Sequence, residues 1–282
     1  MPRSSAWLDL ITIVLSVTAC VGAQFAAATD LVEVYATVTD QRGRPVVTLG
    51  RHDFEVRENG ILQRVTAFAA GDFPLSVAVA LDRSWSMAGR PLDHVRDAAR
   101  AFLAELRPED EAMLVTIGSE VETVAPLSRD RGALEAAVDR LEPWGSTPLH
   151  DAIIECLDRI ASARGRRALV ILSDGLDRYS RASADEVRGR AKQAGVLIYP
   201  VVIGAATPPL LSDLAEITGG RTVRVDQTSG LARAFTSIAF ELRHQYLLGY
   251  EPPTGPHGWR TIAVDVNGQK LVVRARSGYD AP

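Results

Sequence analysis

Hydrophobic and polar residues alternate along this chain with two different periods, and the period changes twice. From residue 32 to residue 68 it is two: Val32, Val34, Ala36 and Val38 alternate with Glu33, Tyr35, Thr37 and Thr39, and Asn59-Gly60 separates two further runs of this kind. Such alternation predicts half-buried strands, and an Asn-Gly pair supplies the positive φ angles of a tight hairpin. The pattern returns late in the chain. Ile262, Val264 and Val266 alternate with polar or small residues, Asn267-Gly268 predicts a second hairpin turn, and residues 271–275 are expected to run back. Each piece has only about 40 residues, less than a self-sustaining core needs. The two segments, residues 30–72 and 245–279, are therefore expected to pair in one small β-sandwich around an inserted middle.

That middle, residues 74–243, reads differently. Residues 75–81, 113–117, 168–172 and 196–203 are short apolar runs without a polar face, as expected of parallel strands covered on both sides. Between them, Leu92, Val95, Ala99, Phe102, Leu103 and Leu106 fall on one helical stripe, as do Leu149, Ile153, Ile154, Leu157 and Ile160. Ser183 with Glu186 has the spacing of a capping box, and Gly195 is placed to end that helix. Strand and helix in repetition predict an α/β domain with a doubly wound, mostly parallel sheet.

Composition narrows the function. The 282 residues carry 31 Lys and Arg against 35 Asp and Glu, a net charge of −4, which supplies no broad positive field for nucleic acid. The N-terminal stretch has Arg3 ahead of an apolar run over residues 6–19 and small residues after it, the order of a secretory signal peptide. Three readings stand: cleavage after residue 23, a lipoprotein cut after residue 19 with Cys20 lipidated, or a retained anchor over residues 10–28, near the ~20 residues a spanning helix needs. All three put the body of the protein outside the cytoplasm, secreted, periplasmic or anchored to the envelope.

Ligands of open α/β sheets bind beyond the carboxyl ends of the strands. There the sequence offers Asp82-Arg83-Ser84-Trp85-Ser86, Gly145-Ser146-Thr147-Pro148 and Ser173-Asp174-Gly175. Asp82, Ser84, Ser86, Thr147 and Asp174 are all hard oxygen donors, a set that suits Mg²⁺ first and Mn²⁺ or Ca²⁺ next. Three neutral hydroxyls and two carboxylates leave such a cation electrophilic and open to an outside anion. Taken singly, each piece is also ordinary turn or N-cap chemistry.

Asp-x-Ser-x-Ser after the first core strand, Thr147 opening a Thr-Pro-Leu helix and Ser-Asp-Gly after a later strand resemble the metal-ion-dependent adhesion site (MIDAS) of von Willebrand factor type A domains. The segments around Asp40, Asp53 to Gly60 and Tyr246 to Tyr250 resemble the flanks of bacterial exported proteins of that kind. The resemblance implies a six-stranded sheet with Ser84 and Ser86 bound directly to metal. It implies Thr147 bound directly or through water, Asp82 and Asp174 mostly through water, and a partner's Asp or Glu completing the shell. Trp85 stands where a small residue is usual. Trp85, Arg83 and Arg178 are candidate contacts to that partner; Arg90 and Arg181 lie nearby in sequence, and Asp177 is expected to stand just behind the metal ligands or to cap the following turn, with no ligand role of its own.

Other chemistries find little support. The five histidines are dispersed without a zinc-binding spacing, and phosphate-binding glycine loops and the nucleophile elbow are absent, so no nucleotide site is expected. Cys156 lies near an apolar helical stripe and reads as core. The expected function is adhesion or another envelope protein interaction through the cation, without catalysis. The alternatives are a structural envelope module with an unused metal site and a metal-dependent hydrolase.

Overall fold

The computed structural model describes residues 31–71, 73–174, 176–268 and 270–281. The proposed signal peptide, Cys20, the anchor stretch and Gly175 lie outside them. In chain order the strands are β1 (Val32–Thr39), β2 (Phe54–Glu58), β3 (Ile61–Gln63), β4 (Val65–Ala70), β5 (Leu75–Asp82), β6 (Glu111–Ile117), β7 (Val121–Ser128), β8 (Arg166–Ser173), β9 (Leu197–Ile203), β10 (Val223–Val225), β11 (Gln245–Tyr250), β12 (Gly258–Val266), β13 (Val272–Arg274) and β14 (Gly278–Ala281). The helices are α1 (Arg90–Ala104), α2 (Arg131–Asp139), α3 (Leu149–Ile160), α4 (Ala184–Ala194), α5 (Pro209–Thr218) and α6 (Leu231–Arg243).

The central sheet has the order β10-β9-β8-β5-β6-β7, parallel except for the antiparallel edge strand β7. Every residue of β5 is buried. Leu75, Val77, Val79 and Leu81 pack with α1, α2 and α6 on one face, while Ala78 and Ala80 pack with α3, α4 and α5 on the other. This two-sided burial explains why the strand shows no polar alternation. The chain leaves β5 towards β6 and β7, then returns to lay β8 along the opposite edge of β5. The order therefore reverses beside β5, and the ends of β5 and β8 meet at the switch point.

The terminal segments build two four-stranded sheets, β13-β1-β11-β4 and β14-β12-β2-β3, each combining strands from before and after the central sheet. Val34, Val56, Tyr246, Leu248 and Ile262 share one core between them. Asn59 and Gly60, at φ 49° and 80°, form the expected β2–β3 hairpin. Asn267-Gly268 does not form the second one. β12 pairs with β14 and β2, whereas β13 pairs with β1, so the chain crosses from one sheet to the other. The crossing covers the edge of β1 at Thr37–Thr39, which would otherwise present unpaired backbone groups.

Helix ends follow the local chemistry. Ser183 and Glu186 close the capping box of α4, and Gly195 ends it at φ 59°. Cys156 is fully buried and burial pushes its thiol pKa well up, in keeping with a core residue.

Candidate functional site

Asp82 ends β5 at the switch point and is fully buried. Its Oδ1 accepts the Ser84 backbone N–H at 2.8 Å, which folds the next two residues back over the strand end. The Ser84 and Ser86 hydroxyls then lie 3.0 Å apart. Ser84 holds the N-cap position of the short 3-10 turn Trp85–Met87, yet its hydroxyl caps no backbone N–H. N-cap chemistry therefore does not account for the serine pair.

Thr147 also departs from the capping role that Thr-Pro suggests. The N-cap of α3 is Pro148, and the Thr147 hydroxyl donates instead to Asp82 Oδ2 at 3.4 Å. Ser173 Oγ, at the end of β8, donates to the same oxygen at 3.4 Å. Ser173 is not among the predicted donors, although it adjoins Asp174 and its place at the end of β8 marks it as one. Asp174 follows immediately, and its Oδ1 accepts the Leu176 N–H at 3.1 Å.

These loops are fastened to one another by backbone groups. Arg83 O accepts Trp144 N–H at 2.7 Å, Gly145 O accepts Trp85 N–H at 3.1 Å, and Thr147 O accepts Arg178 N–H at 2.8 Å. Asp177 Oδ1 accepts His150 N–H at 3.1 Å and the Ser180 hydroxyl at 2.6 Å. Asp151 returns the favour by accepting Arg181 and Ala182 N–H groups at 2.9–3.1 Å. The β8–α4 loop is thus zipped to the first turn of α3, which fixes Thr147 relative to Asp174. Asp177 serves this brace, satisfying a helix N-terminal N–H that has no partner within the helix.

Burial raises the Asp82 pKa above its ordinary value, and the Asp174 charge raises it further, while the contacts with Ser84 and Thr147 oppose the rise. A buried carboxylate within the field of Asp174, with hydroxyl oxygens beside it, is donor chemistry of the kind a hard cation takes. Among the described residues no group of three or more His, Cys, Asp or Glu side chains could hold a metal ion, so any metal here relies on the hydroxyls.

The rim residues divide. Arg83 is engaged by Glu122 at 3.0 Å and lies over the Trp144 ring at 5.2 Å, with its side chain only 14% exposed. It is part of the wall. Trp85 is 64% exposed, and Tyr179, Leu176 and Trp144 are also exposed on the same three loops. The side chains of Arg90, Arg178 and Arg181 are exposed and form no ion pair within the described residues.

The family model of the von Willebrand factor type A domain matches residues 77–176. A curated human protein, calcium-activated chloride channel regulator 4, is 27% identical over 175 residues, covering 57% of this chain; the match spans 18% of the relative's own length. The solved structure of von Willebrand factor type A from Catenulispora acidiphila superposes with TM-score 0.54 at 15% identity, covering 81% of this chain and 73% of that one. The vWF domain of the type V pili tip protein Mfa5 from Porphyromonas gingivalis superposes with TM-score 0.52 at 13% identity, covering 62% and 96%. The six-stranded sheet and its two helical layers thus have the von Willebrand factor type A fold, with a β-sandwich built from the segments on either side.

Proposed function

We propose that this chain is an extracytoplasmic binding protein that holds a divalent cation, Mg²⁺ first, through Asp82, Ser84, Ser86, Thr147 and Asp174. Through that cation it would grip an Asp or Glu carboxylate of a partner protein. The observation that carries the reading is the gathering of Asp82, Ser84, Ser86 and Thr147 at the switch point, with hydroxyls that serve no helix cap. A bound cation would supply an attachment point for an anion. The chain's own residues do the rest: Asp82 orients Ser84, and the Asp177 and Asp151 braces hold Thr147 in place. Exposed Trp85 and Tyr179 offer apolar contact around the carboxylate, and Arg178 adds favourable charge.

A protein-interaction role is in keeping with the pilus-tip protein among the fold neighbours. His150 lies beside these loops with its Nδ1 donating to the Ala182 carbonyl at 2.9 Å, so a hydrolytic reading would rest on its Nε2 as the base. The test is titration of the purified chain with Mg²⁺ and Mn²⁺, followed by capture of partners from native envelope extract with and without chelator. The doubly substituted Asp82→Ala, Ser84→Ala protein should bind neither cation nor partner. Partner capture that survives both the substitutions and the chelator overturns the reading.

A further inference from the structure

At the opposite end of the central sheet from Asp82, a cavity of about 240 Å³ lies between the sandwich and the start of β8. Arg167, Lys192 and Arg276 line it, with Glu33 its one lining carboxylate and Tyr35 beside it. Ion pairing does not explain these cations. The Arg276 Nε is buried without a hydrogen-bond partner, and the guanidinium lies over the Tyr279 ring at 5.4 Å. Lys192 Nζ likewise sits 4.9 Å from the centre of the Trp259 ring. Among the described residues no carboxylate comes within 4 Å of either group. Aromatic faces orient a cation but leave its charge uncancelled. Arg167 spends one N–H on the Ala161 carbonyl at 2.5 Å. Gly195 leaves room for it, since a Cβ there would stand 3.0 Å from Arg167 Nη2.

Three cations against one carboxylate in a recessed cavity form an anion trap. We propose that this cavity binds a small tetrahedral oxyanion of the phosphate or sulfate kind, with Arg276 as the principal donor and Arg167 and Lys192 completing the charge. A planar guanidinium fork matches two oxygens of such an anion, and partial exclusion of water strengthens each contact. Burial pushes the Arg276 pKa down against the opposing pull of Tyr250, Tyr279 and Glu33, a cost that an anion beside it would offset. Because the cavity is shared by β1, β14 and the central sheet, the bound anion would also cement the sandwich to the sheet.

The test uses the full chain in chelator, titrated with sodium phosphate and then sodium sulfate, against sodium chloride at matched ionic strength so that general screening cancels. Expected are a saturable heat in calorimetry and a concentration-dependent rise in Tm. Arg276→Gln should weaken the affinity about tenfold or more. Lys192→Met, on an exposed helix position that folding does not require, should weaken it severalfold, and Ser84→Ala should leave it unchanged. Absence of saturable heat with the unsubstituted chain overturns the proposal, as does binding by Lys192→Met and a folded Arg276→Gln that equals that of the parent.

Discussion

Asp82 and Ser84 are joined head to tail: the carboxylate that closes β5 accepts the backbone N–H of the serine two residues on, at 2.8 Å. One residue thus sets the direction of the loop and supplies a charge to the site. Without a cation that charge is a liability, because burial and Asp174 raise the Asp82 pKa.

The sign of the pH dependence follows. A carboxyl whose pKa is higher folded than unfolded binds its proton more tightly in the folded state. Its stabilising contribution is complete below the ordinary carboxylate pKa and is lost as pH rises through the raised value. Asp82→Asn keeps the acceptor for Ser84 and removes the titration. In chelator, the Tm of the unsubstituted protein should fall relative to that of Asp82→Asn as pH rises from 4 to 8. Saturating Mg²⁺ should cancel that fall in the parent and leave the variant unmoved. Parallel Tm profiles in chelator would remove the charge argument.

The Asp177 brace predicts an effect without touching a ligand. Asp177→Ala leaves the His150 N–H without its acceptor and frees the Ser180 hydroxyl. Loss of such a helix-end contact costs about 1 kcal/mol. The larger consequence is for Thr147, whose loop is then less firmly held. Supporting residues of this kind commonly govern 10–100-fold in metal affinity. Mg²⁺ calorimetry on Asp177→Ala should show a loss in that range, with a Tm change of only a few degrees.

Gly145 connects the same loops through backbone geometry. Its φ is +78°, and a Cβ there would stand 2.1 Å from the Ser119 backbone nitrogen. Both the left-handed backbone and the close approach exclude a side chain. Gly145→Ala must therefore displace the segment that receives the Trp85 N–H and carries Thr147. A destabilisation of about 2–4 kcal/mol in urea unfolding is expected, together with weakened Mg²⁺ binding.

Much of this was legible because burial leaves a periodic trace. The largely apolar run of β5 marks a strand covered on both faces, and Asp82 at its end and Asp174 just past β8 stand where ligands of such sheets gather, with the serines and Thr147 in loops beyond. What was hidden was pairing across long separations. β7 and β10 escaped notice because an edge strand such as Val121–Ser128 is half polar and Val223–Val225 is too short to show a period. The turn at Asn267-Gly268 was visible, but not that its strands join different sheets, since turn chemistry fixes a local reversal and leaves the partner strand open. Nor could Asp151 and Ser180 be read as braces, because their acceptors and donors lie about thirty residues away.

Glu58 is the clearest case of such a hidden partner, and it yields the last prediction. It is 2% exposed, in β2, and accepts the Tyr250 hydroxyl at 2.7 Å, the Tyr279 hydroxyl at 3.0 Å and Arg260 Nη1 at 3.0 Å. Three groups from after the central sheet thus converge on one carboxylate from before it. Replacing Glu58 by Ala removes the carboxylate from Arg260, which keeps the Pro253 and Pro256 carbonyls, and leaves the fully buried Tyr250 hydroxyl without its acceptor, a loss of about 1–3 kcal/mol. Burial first, and then the hydrogen bond and charge of Glu58, raise the Tyr250 pKa. A tyrosine with a raised folded pKa stabilises fully below its ordinary value near 10 and loses that contribution as pH climbs through the raised one. Urea unfolding at pH 7 and pH 10.5 should therefore show a loss of stability at the higher pH that Tyr250→Phe reduces. Because the pin joins strands from both flanks of the insertion, Glu58→Ala should open the sandwich while leaving the β5 to β9 core folded. Backbone hydrogen exchange would read this as lost protection in β2, β11 and β12 with protection retained in β5 and β8.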